Sequence, residues 1–131
     1  RMAGDIEVRR GSNRSRLRAL DGIRDRLAKH VTVMIMPEGT RSRTGNMLPF
    51  QDGAFRTAVE AGVPILPMAV AGTRNAMAKG SLLFNRARAE VRVLEPVETT
   101  GLTLEDVPEL RERVRAMIQA ARDDLRRELG L

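Results

Sequence analysis

The sequence predicts an α/β fold in which a mainly parallel sheet is flanked by helices. Short apolar segments typical of strands alternate with segments whose apolar residues recur at helical spacing, and this alternation is typical of the α/β class. The chain has 131 residues, which is the size of one domain. No internal repeat, low-complexity tract or linker divides the sequence, so we expect one hydrophobic core.

The first predicted elements are a short strand, Asp5–Val8, and a helix over 14–29. The apolar residues of this helix recur at intervals of three, three and four, the spacing of one helix face, and they are Leu17, Leu20, Ile23 and Leu27. The next segment, Val31–Met36, is an almost continuous apolar run, as expected of a strand buried on both faces of a parallel sheet. This interpretation puts Glu38–Ser42 at the C-terminal end of that strand.

The middle of the chain predicts a short helix over Gly53–Ala61, followed by two strands. Gly62 stands where a helix C-cap belongs. The apolar segment Val63–Val70 carries two prolines that lack N–H donors, so a proline begins the strand or a bulge interrupts it. Residues 88–94 alternate with period two, and their charged alternate face indicates a strand near the sheet edge.

The C-terminal segment predicts a long amphipathic helix over 105–129. Thr103 and Asp106 offer a capping start and Gly130 a stop. A basic amphipathic helix can also lie on a membrane, but a Leu/Val/Ala stripe at this spacing favours core packing. The stripe consists of Val107, Leu110, Val114, Met117, Ile118, Ala121, Leu125 and Leu129.

Composition limits the classes of function. The net charge of +6 favours anionic partners, including phosphorylated metabolites, acidic carrier proteins, anionic lipid surfaces and nucleic acid. Trp and Tyr are absent and Phe occurs three times, which weakens the nucleic-acid interpretation because stacking platforms are few. Without cysteine and with one histidine, the sequence predicts no metal site and no thiolate catalysis. No apolar run approaches the ~20 residues that a membrane-spanning helix needs.

The segment PEGTRS, residues 37–42, is the strongest candidate site. Ligands in open α/β sheets bind beyond the carboxyl ends of strands, and this segment follows the predicted strand Val31–Met36. The planar fork of Arg41 suits a phosphate, while Thr40 and Ser42 add hydroxyl donors. Glu38 repels phosphate, so we expect it to orient an arginine or to accept a hydrogen bond from a substrate hydroxyl. The segment by itself would favour an ordinary polar turn, so the site prediction depends on its neighbours.

Three further segments accompany PEGTRS in an informative order. They are LPFQDGAF at 48–55, AGVPILPMAVAGTR at 61–74 and, upstream, GDIEVRR at 4–10. Together these blocks resemble those of the 1-acyl-glycerol-3-phosphate acyltransferases, the glycerolipid acyltransferases. In the upstream block, Glu7 stands where the family usually has an aromatic residue and Arg9 where it usually has an acid. The resemblance therefore rests mainly on residues 37–74.

The resemblance implies roles for particular residues. Arg10 and Arg41 are expected to bind the phosphate of the lysophospholipid acceptor, and Glu38, Gly39, Thr40 and Ser42 to shape the acceptor site around the glycerol. The implied domain is a single partial acyltransferase domain over 1–131, with the second block at 4–10, the third at 37–42 and the fourth at 62–67. Val63, Pro64, Ile65 and Pro67 of the fourth block are expected to support the site or the acyl donor, although a Val-Pro-Ile segment is also common in a plain core.

The family's catalytic block, a histidine followed five positions later by an aspartate, is not matched. The histidine of that block is the general base for the acceptor hydroxyl. Here the single histidine is His30, with Ile35 five positions later, and it follows the second block instead of preceding it. We interpret His30 as the polar end of a helix. The expectation is an N-terminally truncated acyltransferase whose chain is inactive alone.

Two alternatives remain open at this point. One is a non-catalytic binding module for phosphorylated lipid or acyl-carrier protein, and the other is a nucleic-acid-binding domain that rests on charge alone. For the enzyme, the expected partners are lysophosphatidic acid, an anionic membrane surface and an acyl donor, with no nucleic acid and no resident cofactor. Coenzyme A and acyl-carrier protein both suit a basic surface as carriers of the acyl group. The expected location is peripheral, on the cytoplasmic side of the membrane.

Overall fold

The computed structural model describes residues 11–40, 42–73 and 88–131. The predicted strand Asp5–Val8 lies outside these residues. The predicted helix over 14–29 is confirmed as α1, Asn13–Ala28, which begins after Ser12 because the Ser12 side chain accepts a hydrogen bond from the Ser15 N–H. Its predicted apolar face is only half-buried: Leu20, Ile23 and Leu27 are partly covered, whereas Leu17 is exposed.

The second helix, α2, confirms the prediction over Gly53–Ala61. It ends because Gly62 adopts the left-handed conformation, with a φ of 66°. The two helices approach closely at Gly53, where an added Cβ would lie 3.1 Å from Leu20 Cδ2. An ion pair of 2.9 Å between Arg24 and Glu60 joins them at the surface.

The prediction for Val31–Met36 was wrong. The segment belongs to no strand in the described part of the chain, and its side chains are largely exposed, Met34 by 70% and Met36 by 74%. An apolar run becomes a doubly buried strand only where neighbouring strands and covering layers meet it. The elements described within residues 11–40, 42–73 and 88–131 do not supply those layers, so the parallel sheet expected around this segment is not confirmed.

The sheet within the described residues has two antiparallel strands, β1 (Met68–Ala71) and β2 (Glu90–Val93). Met68 lies opposite Val93, and Val70 opposite Val91. The strand predicted over 88–94 is thus confirmed, but its exposed face is apolar. Val91 and Val93 are 60% and 58% exposed, whereas the charged alternate face is partly covered. There Arg92 forms an ion pair of 2.7 Å with Glu128 of the C-terminal helix, which explains why the charged face turns inward.

The two prolines interrupt pairing before β1, as predicted. Ile65 forms an isolated antiparallel bridge with Val97, through two backbone hydrogen bonds of 2.9 and 2.7 Å. The Pro67 carbonyl still accepts a hydrogen bond from the Leu94 N–H, because proline lacks only the donor. The regular ladder therefore starts at Met68, after the second proline.

The C-terminal helix, α3, runs over Val107–Glu128 and confirms the prediction of a long helix. A short 3₁₀ turn, Leu104–Asp106, precedes it, and Thr103 and Asp106 form the predicted reciprocal capping box. Five positions of the predicted apolar stripe are buried, which confirms its core role: Val107, Leu110, Val114, Ala121 and Leu125.

The helix α3 contacts two groups of buried residues. The larger group joins α2 and the segment just before it to Val97 and the start of α3. Its buried members are Phe50, Phe55, Val97, Val107, Leu110 and Val114. In the smaller group, Ala69 and Ala71 of β1 meet Ala121 and Leu125. Alanine on both sides lets helix and strand approach closely, and Ala69 is 0% exposed.

Candidate functional site

The centre of the candidate site is a tight turn at residues 36–39. The Gly39 N–H donates a hydrogen bond to the Met36 carbonyl at 3.1 Å. Gly39 has a φ of +72°, so the turn needs glycine for its backbone conformation. The nearest atom to an added Cβ is Gln51 Cγ at 3.6 Å, which is ordinary contact, so crowding does not impose the glycine.

Two hydrogen bonds hold this turn against the segment 48–51. The carboxylate of Glu38 accepts a bond of 2.7 Å from the Leu48 N–H, and the Pro37 carbonyl accepts one of 2.8 Å from the Gln51 N–H. Glu38 thus anchors the turn to the chain that leads into α2. A carboxylate has about four acceptor positions, so this bond leaves capacity for the arginine or substrate hydroxyl expected from the sequence.

The other predicted residues of the third block are placed as follows. Thr40 is exposed beside Gly39. Ser42 is half-buried, and its hydroxyl accepts a hydrogen bond of 3.1 Å from the Gly45 N–H. This bond closes the loop that follows the turn, so Ser42 has a structural role apart from any contact with a ligand. Arg41 and Arg10, the predicted phosphate ligands, lie outside the described residues.

Three arginines of α3 contact the loop between the turn and α2, and sequence reasoning missed them. Arg111 forms an ion pair of 2.6 Å with Asp52, and this hydrogen bond raises the pKa of the Arg111 guanidinium. Arg115 donates to the Met47 and Leu48 carbonyls, and Arg122 to the Gly45 carbonyl. The sequence did contain a signal for them. Arg111 and Arg115 are four positions apart and Arg115 and Arg122 seven, so all three lie on one face of the helix.

The fourth block packs against the segment 94–99. Ile65 bridges Val97, and the Val63 carbonyl accepts a hydrogen bond of 2.8 Å from the buried Thr99 hydroxyl. Pro67 is buried and Pro64 exposed. These contacts give the block a structural part in the core, and the expected link to the acyl donor stays a prediction.

His30 stands at the end of α1, where the sequence predicted it. It is exposed, with a φ of 58°, and its N–H donates to the Leu27 carbonyl at 3.0 Å.

Among the described residues, no group of three or more His, Cys, Asp or Glu side chains is placed to hold a metal ion. In the same part of the chain, no helix combines the length and apolar character needed to cross a bilayer.

The part of the chain that contains this turn matches a known family. Residues 1–71 match the family model described as Acyltransferase, which is more than half of the chain. The chain belongs to the acyltransferase family. The matched region includes the turn at 36–39, the segment 48–51 and β1, so the geometry above is that of an acyltransferase domain.

Similar proteins within the acyltransferases share one name. The chain is 47% identical over 89 residues to 1-acyl-sn-glycerol-3-phosphate acyltransferase alpha of Homo sapiens, covering 68% of this chain and 31% of that protein. It is 35% identical over 102 residues to the 1-acyl-sn-glycerol-3-phosphate acyltransferase of Salmonella typhimurium, covering 78% of this chain and 41% of that protein. The chain therefore spans less than half the length of either relative.

A solved acyltransferase structure resembles the structure of this chain. The crystal structure of the 1-acyl-sn-glycerophosphate (LPA) acyltransferase PlsC from Thermotoga maritima matches with a TM-score of 0.76 at 34% identity. The match covers 83% of this chain and 44% of that one. The described helices and the small sheet are thus part of an acyltransferase fold, which confirms the family and leaves the predicted parallel sheet open.

Proposed function

We propose that this chain is the acceptor-binding part of an acyltransferase of phospholipid biosynthesis. In the proposed reaction, a fatty acyl group passes from acyl-CoA or acyl-carrier protein to the free hydroxyl of 1-acylglycerol-3-phosphate, and phosphatidic acid is the product. The new ester bond forms at the acceptor oxygen and the thioester of the donor breaks. A base takes the proton of the hydroxyl, and the carrier leaves as its protonated thiol. The relatives described above are named for this reaction.

The observation that carries the proposal is the anchored turn of the third block. The Glu38–Leu48 and Pro37–Gln51 hydrogen bonds both tie the turn to the segment 48–51, while Gly39 and Thr40 remain exposed. An exposed turn with the Thr40 hydroxyl at its surface and an anchored carboxylate suits a ligand that carries hydroxyl groups. Arg41 follows directly in the sequence and supplies the cation that a phosphate needs.

The chain contributes binding to this reaction and leaves the general base unassigned. His30 is exposed at the end of α1 in a left-handed backbone position, and it stands outside the order of the family's catalytic block. We therefore propose that the chain binds and orients lysophosphatidate, with Arg10 and Arg41 as the phosphate ligands. The proposed location is peripheral, on the cytoplasmic face of an anionic membrane.

A lysophosphatidate acylation assay on the complete protein that contains this chain tests the proposal. Both acyl-CoA and acyl-carrier protein are offered as donors, since the chain favours neither. Arg41→Ala removes charge and fork, so we expect acceptor binding to weaken about ten- to hundredfold, the equivalent of a charged hydrogen bond. Arg41→Lys keeps the charge but loses the fork, and the expected loss is smaller.

Neutral monoacylglycerol is the matched control for the phosphate. It lacks the group that Arg41 is proposed to read, so both substitutions should leave its binding unchanged. Equal losses for the two acceptors, with folding intact by circular dichroism, would assign Arg41 to the turn. Binding of lysophosphatidate by the complete protein without turnover on either donor would instead identify a non-catalytic binding module.

A further inference from the structure

The helix α3 holds the loop between the turn and α2 with arginines from a single face. Arg111, Arg115 and Arg122 each donate to this loop, which spans residues 42–52. The family match ends at residue 71, so these arginines lie beyond the matched region. A helix near the C-terminal end of the chain therefore forms hydrogen bonds with a loop next to the candidate site.

Arg115 has the most specific geometry of the three. Its Nε donates to the Leu48 carbonyl at 3.1 Å and its Nη2 to the Met47 carbonyl at 3.0 Å. The guanidinium carbon lies 6.0 Å from the centre of the buried Phe50 ring. A planar fork meets two successive carbonyls and an aromatic ring together, whereas lysine would offer a single point charge.

The Leu48 residue joins Arg115 to the turn. Its carbonyl accepts from the Arg115 guanidinium, and its N–H donates to the Glu38 carboxylate at 2.7 Å. The cation on α3 and the carboxylate in the turn therefore act on the same residue from opposite ends. A short bond to a carboxylate depends on where its donor is held, because charge-assisted bonds weaken when alignment is lost.

We propose that Arg115 is a positioning residue for the acceptor-binding turn. It holds Met47 and Leu48 so that the Leu48 N–H fixes the Glu38 carboxylate, and the fixed carboxylate keeps the turn in its binding conformation. Arg115 itself touches no substrate in this scheme. The inference rests on the proposed function, because it assigns a purpose to the turn that Arg115 orders.

Two variants of Arg115 and one matched control test the proposal in the complete protein. Arg115→Met keeps most of the stem and removes the fork, and Arg115→Lys keeps one cationic donor. Arg113→Met is the control, because Arg113 is exposed on the same helix and has no hydrogen bond with the described residues. Two readouts are taken: hydrogen exchange of the Leu48 amide, and the KM for lysophosphatidate alongside the KM for the acyl donor.

Arg115→Met should raise exchange of the Leu48 amide and the KM for lysophosphatidate by about tenfold each, the low end for a charge-assisted bond. The KM of the acyl donor should stay unchanged. Arg115→Lys should lie between the parent and Arg115→Met, and Arg113→Met should match the parent in both readouts. A lower melting temperature with the Leu48 amide and the acceptor KM unchanged would reduce Arg115 to a structural residue and overturn the proposal.

A double-variant cycle covers the case in which Arg115→Met fails to fold. Glu38→Gln and Arg115→Lys are measured singly and together, because both act on Leu48. The proposal requires that the combined effect on Leu48 exchange be smaller than the product of the single effects, and independent effects overturn it. Should the parent protein bind no lysophosphatidate, the proposed function fails, and the Leu48 amide alone still decides whether Arg115 orders the turn.

Discussion

The hydroxyl of Thr99 donates a hydrogen bond of 2.8 Å to the carbonyl of Val63. This bond joins the segment after β2 to the fourth block, next to the end of α2. Thr99 is buried, so its hydroxyl is shielded from water and depends on a partner within the protein. A polar side chain with a fixed partner at this depth specifies how the fourth block packs.

Thr99→Val should lower the free energy of unfolding by about 1–3 kcal/mol, because the Val63 carbonyl loses its partner while the side-chain volume is nearly kept. Urea unfolding followed by circular dichroism measures the change. The neighbouring exposed Thr100 gives the control, and Thr100→Val should change stability by less than about 0.5 kcal/mol. Similar effects at both positions would contradict the role given to the buried hydroxyl.

Gly72→Ala should be strongly destabilising. Gly72 has a φ of +89°, and an added Cβ would lie 2.1 Å from the Arg88 carbonyl oxygen. We expect about 1–2 kcal/mol from backbone strain and a further ~1–3 kcal/mol from overpacking. Gly101→Ala isolates the strain, because Gly101 has a φ of +82° with nothing within 4 Å of its added Cβ. Equal losses of stability in the two variants would show that the contact with Arg88 relaxes freely.

His30→Gly should stabilise the chain by about 0.5–1 kcal/mol. The left-handed conformation of His30 costs about 1–2 kcal/mol for a residue with a Cβ, and the greater freedom of glycine in the unfolded chain offsets part of the gain. Thermal unfolding measures the shift. Lys29→Gly is the control, since Lys29 has a φ of −90° and should only lose stability. Destabilisation by His30→Gly would mean that the imidazole makes a contact worth more than the strain.

The 131-residue chain should show no acyl transfer above background. General-base catalysis contributes about 10²–10⁴-fold, and the single histidine, His30, is not placed as that base. The measurement is turnover of lysophosphatidate by the purified chain with acyl-CoA and with acyl-carrier protein. Turnover that disappears in His30→Gln would make His30 the base and overturn its assignment as a helix end.

Association with anionic vesicles should weaken as salt is added. The net charge of +6 favours attraction to anionic headgroups, at ~1 kcal/mol for each arginine near the surface. Co-sedimentation with vesicles that contain phosphatidate, at low and high ionic strength, measures the effect, and neutral phosphatidylcholine vesicles serve as control. Binding that ignores both salt and lipid charge would point to apolar contacts instead.

Local features of the sequence were sufficient to predict where the helices begin and end. The intervals of Leu17, Leu20, Ile23 and Leu27 located α1, and Gly62 marked the end of α2. The capping pair and apolar stripe located α3, since periodicity and caps depend on neighbours within a few residues. The blocks within residues 37–74 together likewise identified the family, and the third block contained the residues of the turn.

Long-range contacts decided the rest. Whether Val31–Met36 is buried depends on which layers cover it. Its apolar composition predicted a buried strand, whereas the segment is largely exposed. The pairing of β1 with β2 joins residues 19 to 25 positions apart, from Ala71 with Glu90 to Met68 with Val93. The inward turn of Arg92 depends on Glu128, which lies 36 positions away. The site follows the same rule, because Arg115 reaches Leu48 across 67 positions. The sequence by itself therefore determined the helices, the family and the turn. Only the tertiary structure decided strand pairing, burial and the contacts that hold the turn, because all of these join residues that are far apart in the chain.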